Sequence, residues 1–405
     1  MAAKPENTVP RFGKDNPLTD FIYLDHSATT PTDPRVVQAM LPYWTELYGN
    51  PSSLHSAGQA AADALERAGA TVAGVLNCQP SEVIFTSGGT ESDNLALRGV
   101  AAALRGRGRG RHIITTAAEH HAVIDTAQAL IDEGFEVTFL PVDSDGRVTA
   151  AQVAAALRDD TILVSVIYAN NEVGSVNPIA EIGAVLRGRR IPFHVDAVQA
   201  PGLLSLDVQA LNVDLLSLSA HKFYGPKGIG LLYARRSTPL RPEIVGGTQQ
   251  AHRRAGTEPV PLIVGLAEAL RLAEAERVET VARLAPLRDH LIQQVLVLIP
   301  EAALTGHRSE RLPGHTSFAM LGLNGDSILL DLNEVGIGAS GGSACTTGQQ
   351  EPSHVLTAMG VDPDRLMGQM RFVLGKHNTP ADVDRLLYHL TALVQRHRAM
   401  IPNVR

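Results

Sequence analysis

Between Ile22 and Ala234 the chain alternates short runs rich in β-forming residues with stretches rich in alanine and leucine. This alternation constrains the fold most, because strands separated by helices form a largely parallel sheet covered by helices. The predicted strands are Val83–Thr86, His112–Thr115, Glu136–Leu140, Ile162–Val166, Pro192–Val195, Leu215–Leu218 and Gly230–Tyr233. The predicted intervening helices are Ser92–Leu104, Ala122–Asp132, Ala150–Leu157 and Ile179–Leu186. The sequence therefore predicts an α/β domain.

A long helical stretch from Pro261 to about Leu298 interrupts this alternation. Two shorter strands, Ser317–Leu321 and Arg371–Leu374, then alternate with helices through Arg398. This second rhythm is typical of a smaller α/β domain. We therefore divide the chain into a flexible N-terminal lead (residues 1–20), a large domain (residues 21–260) and a small C-terminal domain (residues 261–405).

The net charge restricts the classes of partner. A chain of 405 residues, 44% of them hydrophobic, buries a large core, and its formal charge of −7 offers no general attraction for nucleic acid. Specific binding to DNA is therefore not expected. One local exception is Arg105–Arg111, in which four arginines alternate with glycines. This segment either grips RNA phosphates or forms an exposed loop between a helix and a strand, and the loop is the more ordinary interpretation.

The chain also carries the features of a cytoplasmic protein. Its first twenty residues lack the apolar run of a signal peptide, and no stretch approaches the ~18 uninterrupted apolar residues of a membrane span. Two cysteines cannot form a disulfide framework, and a reducing compartment keeps a thiol available for chemistry. We therefore expect a cytoplasmic location.

Two segments together indicate a pyridoxal phosphate site. Lys222 follows an apolar strand and precedes a turn rich in glycine and proline, surroundings in which a lysine can lose its proton and form a Schiff base. The segment Phe193–Gln199 is a strand that ends on Asp196. Pyridoxal phosphate needs such an anion at its ring nitrogen, so that the ring can hold carbanion charge. An exposed turn lysine and a strand-end cap are the alternatives.

The segment Phe85–Asn94 supplies a candidate phosphate site. A strand runs through Gly88 and Gly89 directly into a helix. Glycines let the backbone approach a phosphate, and the free N–H groups of the helix start favour its charge. The alternative is an ordinary helix start capped by Thr90 or Ser92.

These segments, in this order, resemble the fold-type I pyridoxal-phosphate enzymes, specifically the class V aminotransferase family and, within it, the cysteine desulfurases of the NifS/IscS type. The resemblance covers nearly all of residues 21–395. Its further motifs are Tyr23–Pro31, Gly49–Ser53, Ala118–His120, Asn170–Gly174 and Arg371–Gly375. It implies a fold-type I transferase, with a mostly parallel seven-stranded sheet in the large domain and a smaller C-terminal α/β domain.

The resemblance also implies roles around the cofactor ring. Lys222 would bond pyridoxal 5′-phosphate covalently, Asp196 would pair with the ring nitrogen and Gln199 would reach the phenolic oxygen. His120 would stack on the ring and move protons. A metal site at the neighbouring His120 and His121 is not expected, because adjacent side chains point in different directions and no further ligands complete the set.

The resemblance further implies a shared dimeric site. The residues implied to hold the cofactor phosphate are Gly89, Thr90, Ser219 and His221. Thr257 would complete this set from the second subunit, which implies a homodimer. Asn171 would contact cofactor and substrate, and Arg371 would bind the substrate carboxylate, whose geometry suits a guanidinium group. A buried ion pair is the alternative for Arg371.

Cys345 is the candidate nucleophile. It lies in Gly338–Pro352, a segment too rich in glycine and polar residues to be packed core, and resembles the desulfurase branch with a long cysteine loop. Cys78, near the end of a predicted helix, fits an inert thiol. Lys376 stands where the family usually has a second arginine, and we expect it to retain the charge with little catalytic effect.

The resemblance implies conversion of L-cysteine to L-alanine, with transfer of sulfur to a persulfide on Cys345. That sulfur would pass to an acceptor protein for iron-sulfur cluster assembly or tRNA thiolation. The C-terminus, shorter than in many assembly members, leaves the acceptor open. Alternatives are another class V enzyme, namely a selenocysteine lyase or an aminotransferase, and a non-catalytic interaction subunit.

Overall fold

The computed structural model of the protein describes residues 20–342 and 352–400. The strands are β1 Ile22–Tyr23, β2 Val83–Thr86, β3 His112–Thr116, β4 Glu136–Leu140, β5 Thr161–Ile167, β6 Phe193–Asp196, β7 Leu215–Ser219, β8 Gly230–Ala234, β9 Ala302–Leu304, β10 His315–Met320, β11 Ile337–Gly338 and β12 Gln369–Val373. The helices are α1 Pro34–Met40, α2 Pro42–Thr45, α3 Ser56–Leu76, α4 Gly89–Arg105, α5 His121–Asp132, α6 Ala150–Ala156, α7 Ile179–Arg189, α8 Gln249–His252, α9 Val260–Leu298, α10 Gly325–Glu334, α11 His354–Ala358, α12 Pro363–Leu366 and α13 Pro380–Met400.

The large sheet has seven strands in the order β2-β8-β7-β6-β5-β3-β4. The pairs from β7 to β4 are parallel, whereas β8 runs antiparallel to both of its neighbours. Every residue of the central strands β5, β6 and β7 is buried, as expected of a parallel sheet covered by helices on both faces. The predicted mostly parallel seven-stranded sheet is therefore confirmed.

The carboxyl ends of the parallel strands meet at one edge of the sheet. Strand β6 ends there at Asp196 and β7 ends at Ser219. Helices α4 and α5 begin at the same edge, after β2 and β3. Ligands of open α/β sheets bind outside this edge, where strand ends and helix starts converge.

The C-terminal part of the chain builds a second hydrophobic core. Its antiparallel sheet has the order β12-β10-β9, and a parallel pair joins β1 to β11. Helix α9 contributes to both cores, because Ile263 and Leu266 pack with the large sheet whereas Leu291 and Val295 pack with the second core. The proposed boundary at residue 260 thus falls at the start of a helix that both cores share, and the division remains a prediction.

Two predictions concern the helices and surface of the described chain: that no segment spans a membrane, and that residues Arg105–Arg111 form an exposed loop. Within residues 20–342 and 352–400, none of the helices combines the length and apolar character needed to cross a membrane. Between α4 and β3, Arg105, Arg107, Arg109 and Arg111 have exposed side chains. This segment is therefore an exposed connection, which is compatible with both interpretations of its arginines.

Candidate active site

A cavity of about 270 Å³ opens at the carboxyl edge of the large sheet. It brings together ten residues that the sequence predicted for the site: Gly89, Thr90, His120, Asn171, Asp196, Gln199, Ser219, His221, Lys222 and Arg371. It is also lined by residues that were not predicted: Ser27, Ala28, Asp93, Ile167 and Val198. Residues distant in sequence thus converge on one enclosed space.

Lys222 lies in a short 3-10 turn, Ala220–Lys222, that follows β7 directly. Its Nζ donates hydrogen bonds to the carbonyl oxygens of Ser27 and Ala28, at 2.6 and 2.8 Å. The chain before α1 therefore holds the amine at the wall of the cavity. Nothing in the local sequence around Lys222 identifies these acceptors.

Asp196 ends β6 with only 4% of its surface exposed. Its Oδ1 accepts a hydrogen bond from the backbone N–H of Val198 at 3.0 Å. Burial, with the nearby Asp93 carboxyl, raises the pKa of Asp196 to about 6. A cation bound in the cavity would oppose this effect and stabilise the ionised carboxylate.

His120 caps the start of α5, where its Nδ1 accepts the backbone N–H of Ala122 at 3.1 Å. This bond assigns the proton of the neutral ring to Nε2. Burial lowers the pKa of His120, so the ring is neutral at physiological pH. The neighbouring His121 packs on the ring of His354 instead, and the described residues contain no group of histidine, cysteine and carboxylate side chains suited to a metal.

The start of α4 presents free backbone N–H groups. Its N-cap is Gly88, and neither of the caps considered from the sequence, Thr90 or Ser92, bonds to the helix start. Ser92 instead donates from its hydroxyl to the carbonyl oxygen of Gly88 at 3.0 Å. A Cβ on Gly89 would lie 2.9 Å from the Val198 side chain, so only glycine lets the backbone approach this closely.

The side chains of Ser219 and His221 lie beside these N–H groups, at the part of the cavity suited to an anion. Ser219 ends β7, and His221 lies in the turn that follows it. The Nδ1 of His221 pairs with the Thr29 hydroxyl at 3.1 Å, and burial with the nearby Lys222 lowers its pKa to about 4. A hydroxyl and a neutral imidazole thus lie next to the free end of α4.

Arg371 lies in β12, and its guanidinium group is nearly buried. It forms an ion pair with Asp25, at 3.0 Å from Nη2 to Oδ1, and donates from Nη1 to the carbonyl oxygen of Asn171 at 3.0 Å. Its Nε finds no hydrogen-bond acceptor among the described residues. Arg371 is therefore a buried ion-pair partner and also lines the cavity in which it would meet a substrate carboxylate.

Lys376, which follows β12, contacts the start of α1. Its ammonium group pairs with the buried carboxylate of Asp33, which caps α1, and lies 4.3 Å from the ring centroid of Tyr224. The positive charge expected at this position is therefore engaged in a structural contact.

Two buried carboxyl groups beside Asp196 escaped the sequence analysis. Asp93 is 1% exposed and Glu119 is fully buried. Glu119 accepts hydrogen bonds from the Thr116 hydroxyl at 2.7 Å and from the Ile167 N–H at 3.0 Å. Burial raises the pKa of Asp93 to about 7 and that of Glu119 to about 8. In the sequence, Asp93 stands out only because it follows the glycine turn, and Glu119 only because it precedes His120.

The remaining predicted residues lie elsewhere. Thr257 is exposed and does not line the cavity of its own chain. Cys345 lies outside the described residues. Cys78, just beyond α3, is half-buried, and burial together with Glu82 raises the pKa of its thiol to about 12. At neutral pH Cys78 is therefore a protonated thiol, the inert form that its position suggested.

The sequence matches known proteins over almost its whole length. Residues 22–386 match the aminotransferase class-V family. Among curated proteins, the cysteine desulfurase IscS of Methanosarcina thermophila is 49% identical over 381 residues, which are 94% of each chain. A cysteine desulfurase of Nostoc sp. is 46% identical over 382 residues, again 94% of each chain.

Solved structures give the same family. A NifS-like protein superposes with a TM-score of 0.87 and 38% identity, over 93% of this chain and all of the other. SspA in complex with cysteine superposes with a TM-score of 0.77 and 34% identity, over 88% of this chain and all of the other.

The fold, the cavity and these similarities define a class V aminotransferase, and the chain belongs to that family. Within the family it belongs to the cysteine desulfurases. The two curated relatives named above are cysteine desulfurases, so they give no support to the alternatives of an aminotransferase and a selenocysteine lyase.

Proposed function

We propose that this desulfurase uses pyridoxal phosphate to convert L-cysteine to L-alanine and moves the sulfur to Cys345. The observation that carries the proposal is the convergence of Lys222, Asp196 and the start of α4 on one cavity. The similar structure of SspA contains cysteine, the substrate proposed here.

The residues of the cavity fit pyridoxal phosphate. Asp196 is a buried carboxyl group whose ionised form a nearby cation would stabilise, and the protonated ring nitrogen would be such a cation. The free N–H groups of α4, with Ser219 and His221, suit the phosphate. Lys222 supplies the amine that would hold the cofactor covalently. When bound, the cofactor supplies an electron sink that weakens the bonds at Cα of an attached amino acid.

The side chains of the site then divide the work. With substrate bound, Lys222 Nζ would accept the proton from Cα of the substrate. His120, held by Ala122, has a neutral ring with its proton at Nε2, and it would lie against the cofactor ring. Gln199 Nε2 donates one of its two N–H groups to the carbonyl oxygen of Ser27 at 2.9 Å, and its second N–H would donate to the cofactor's phenolic oxygen.

Arg371 and Asn171 would orient the substrate carboxylate. Arg371 already pairs with Asp25, which fixes the guanidinium plane, and its Nε keeps a free donor in the described structure. A carboxylate at this position gains a charge-assisted hydrogen bond without new ordering of the arginine.

Sulfur would leave the substrate by nucleophilic attack of Cys345. The Cys345 thiolate attacks the substrate sulfur, an S–S bond forms and the Cβ–S bond breaks. The electron pair of the broken bond passes to Cβ, which takes up the proton lost by the substrate thiol, so the products are alanine and a persulfide. The carbonyl oxygen of Gly342 accepts from Nη1 of Arg371 at 3.4 Å.

We further propose a cytoplasmic homodimer in which Thr257 completes the cavity of the partner. Large apolar side chains are exposed on and after α2, with Trp44 at 55%, Tyr48 at 74% and Leu54 at 101% of full exposure. Such a cluster favours a buried interface. The sulfur acceptor is an iron-sulfur scaffold protein or a tRNA-thiolation carrier.

The proposal is tested with Cys345→Ser, and Cys78→Ser is the matched control. Cys345→Ser should remain folded and yellow but lose alanine and sulfide production by roughly a hundredfold or more, because a serine hydroxyl is too weakly acidic to take the sulfur. Cys78→Ser should keep wild-type turnover. Mass spectrometry of wild-type protein treated with cysteine should find one added sulfur atom on the peptide containing Cys345. Full activity of Cys345→Ser would contradict the assignment.

A further inference from the structure

A groove of about 900 Å³ lies at the amino-terminal edge of the large sheet, opposite the active site. It is lined by residues that precede β5, β6 and β7, and by residues that follow α4, α7 and β8. Seven arginines line it: Arg107, Arg109, Arg158, Arg187, Arg189, Arg190 and Arg235. We call this surface the arginine groove.

Most of these arginines have no direct ion pair among the described residues, although Arg187 lies close enough to Asp214 to stabilise its negative charge. Asp159 and Asp214 are the acidic residues that line the arginine groove. Asp214 pairs with Arg235 at 2.9 Å, and Arg158 pairs with Asp160 at 2.8 Å and with Glu136 at 2.7 Å. The guanidinium groups of the other five arginines form neither an ion pair nor a hydrogen bond with any residue that the structure describes.

Ordinary structural reasons explain only part of this arrangement. Arg187 and Arg189 lie in the last turn of α7, where cations interact favourably with the helix dipole. Arg107 and Arg109 lie just beyond the end of α4, where their backbone N–H groups bond to the carbonyl oxygen of Leu104, and their side chains form no ion pair with the described residues. Their convergence on the same groove costs repulsion between like charges, in a chain whose net charge is −7. An anionic ligand would remove that repulsion.

The chemistry of the lining identifies the anion. All seven cations are arginines, whose planar fork matches the oxygens of a phosphate group in two-point contact. They come from separate segments of the chain, so an extended polyanion engages more of them than a single small anion does. No aromatic residue lines the arginine groove. It therefore lacks the stacking platform for unpaired bases and the aromatic anchors of protein interfaces.

Neutral polar groups lie among these cations. Gln209, Ser237 and Thr238 line the same groove, and hydroxyl and amide groups pair with the 2′-hydroxyl that distinguishes RNA from DNA. We propose that the arginine groove binds the phosphate backbone of base-paired RNA. This site is separate from the desulfurase cavity, because the two lie at opposite edges of one sheet.

The test measures binding of a fluorescently labelled RNA hairpin to the cofactor-loaded enzyme by anisotropy, at several salt concentrations. The groove variant is Arg187→Glu with Arg190→Glu. The matched control is Arg67→Glu with Arg308→Glu, which makes the same charge change at exposed positions elsewhere. The groove variant should bind at least about tenfold more weakly and lower the slope of log K against log salt by roughly two. The control should lose less than about twofold, and both variants should retain desulfurase turnover.

Four results would overturn the proposal. Wild-type enzyme that binds the hairpin no more tightly than about 1 µM at physiological salt has no RNA site beyond non-specific attraction. Equal weakening in groove variant and control would assign binding to overall charge. A DNA duplex of the same sequence that binds equally well would remove the assignment to RNA. Polyglutamate that competes as well as unlabelled hairpin would remove the assignment to phosphate.

Discussion

Asp93→Asn isolates one of the buried carboxyl groups beside the active site. The change keeps the shape of the side chain and replaces a protonated carboxyl by a neutral amide. Burial raises the pKa of Asp93 from 3.8 to about 7. The folded protein therefore holds this proton more tightly than the unfolded chain, which stabilises it fully below about pH 4. That stabilisation is lost as the pH rises through about 7. The difference between the two pKa values corresponds to about 4 kcal/mol, of which about 3 kcal/mol falls between pH 5 and pH 8.

Calorimetry of wild-type protein and Asp93→Asn at pH 5 and pH 8 measures this effect. The amide does not titrate, so the variant should gain about 3 kcal/mol relative to wild type on going from pH 5 to pH 8. In a chain of 405 residues that corresponds to a relative rise in Tm of about 3 to 4 °C. Asp132→Asn, at an exposed position of α5, is the control and should show no such change. A Tm difference between Asp93→Asn and wild type that is equal at both pH values would refute the buried proton.

Three further predictions concern the cofactor. Borohydride reduction and peptide mapping should place a pyridoxyl group on Lys222, and Lys222→Ala should lose that label; a label on another lysine would contradict the assignment. Asp196→Asn should keep the cofactor bound but lower turnover by roughly a hundredfold or more, because an amide cannot hold the ring proton, and unchanged turnover would exclude this role. Thr257→Ala should weaken cofactor binding in both sites of the dimer, and an active monomer in sedimentation experiments would disprove the shared site.

The strands and the chemical groups of the site could be predicted because their signals are local. Val83–Thr86 and Glu136–Leu140 have the predicted bounds, since β-forming residues in each are flanked by residues that end a strand. Lys222 and Asp196 could be proposed for the same reason, because Asp196 ends an apolar strand and Lys222 closely follows another. A pattern within ten residues was sufficient in each case.

Direction and long-range partners could not be predicted in this way. The antiparallel direction of β8 depends on the path of the chain between strands, which strand composition does not encode. Asp25 lies more than three hundred residues before its partner Arg371, and the carbonyl groups that hold Lys222 belong to Ser27 and Ala28. The burial that raises the pKa of Asp93 likewise exists only after the helices pack on the sheet.

The late position of β8 in the sequence also determines when β2 and the start of α4 can be fixed during synthesis of the protein. Strand β2 leads into the glycine turn, and in the large sheet it hydrogen-bonds only to β8, which begins at Gly230. When β2 has just emerged from the ribosome, the nascent chain therefore still lacks β8, the strand that fixes this turn. At 5 to 20 residues per second, translation takes on the order of 10 s to deliver β8. During that interval the edge of β2 is unpaired, and the helix start that follows it cannot yet be held against Ser219. Binding of the proposed cofactor at this helix start would therefore follow completion of the sheet rather than guide it.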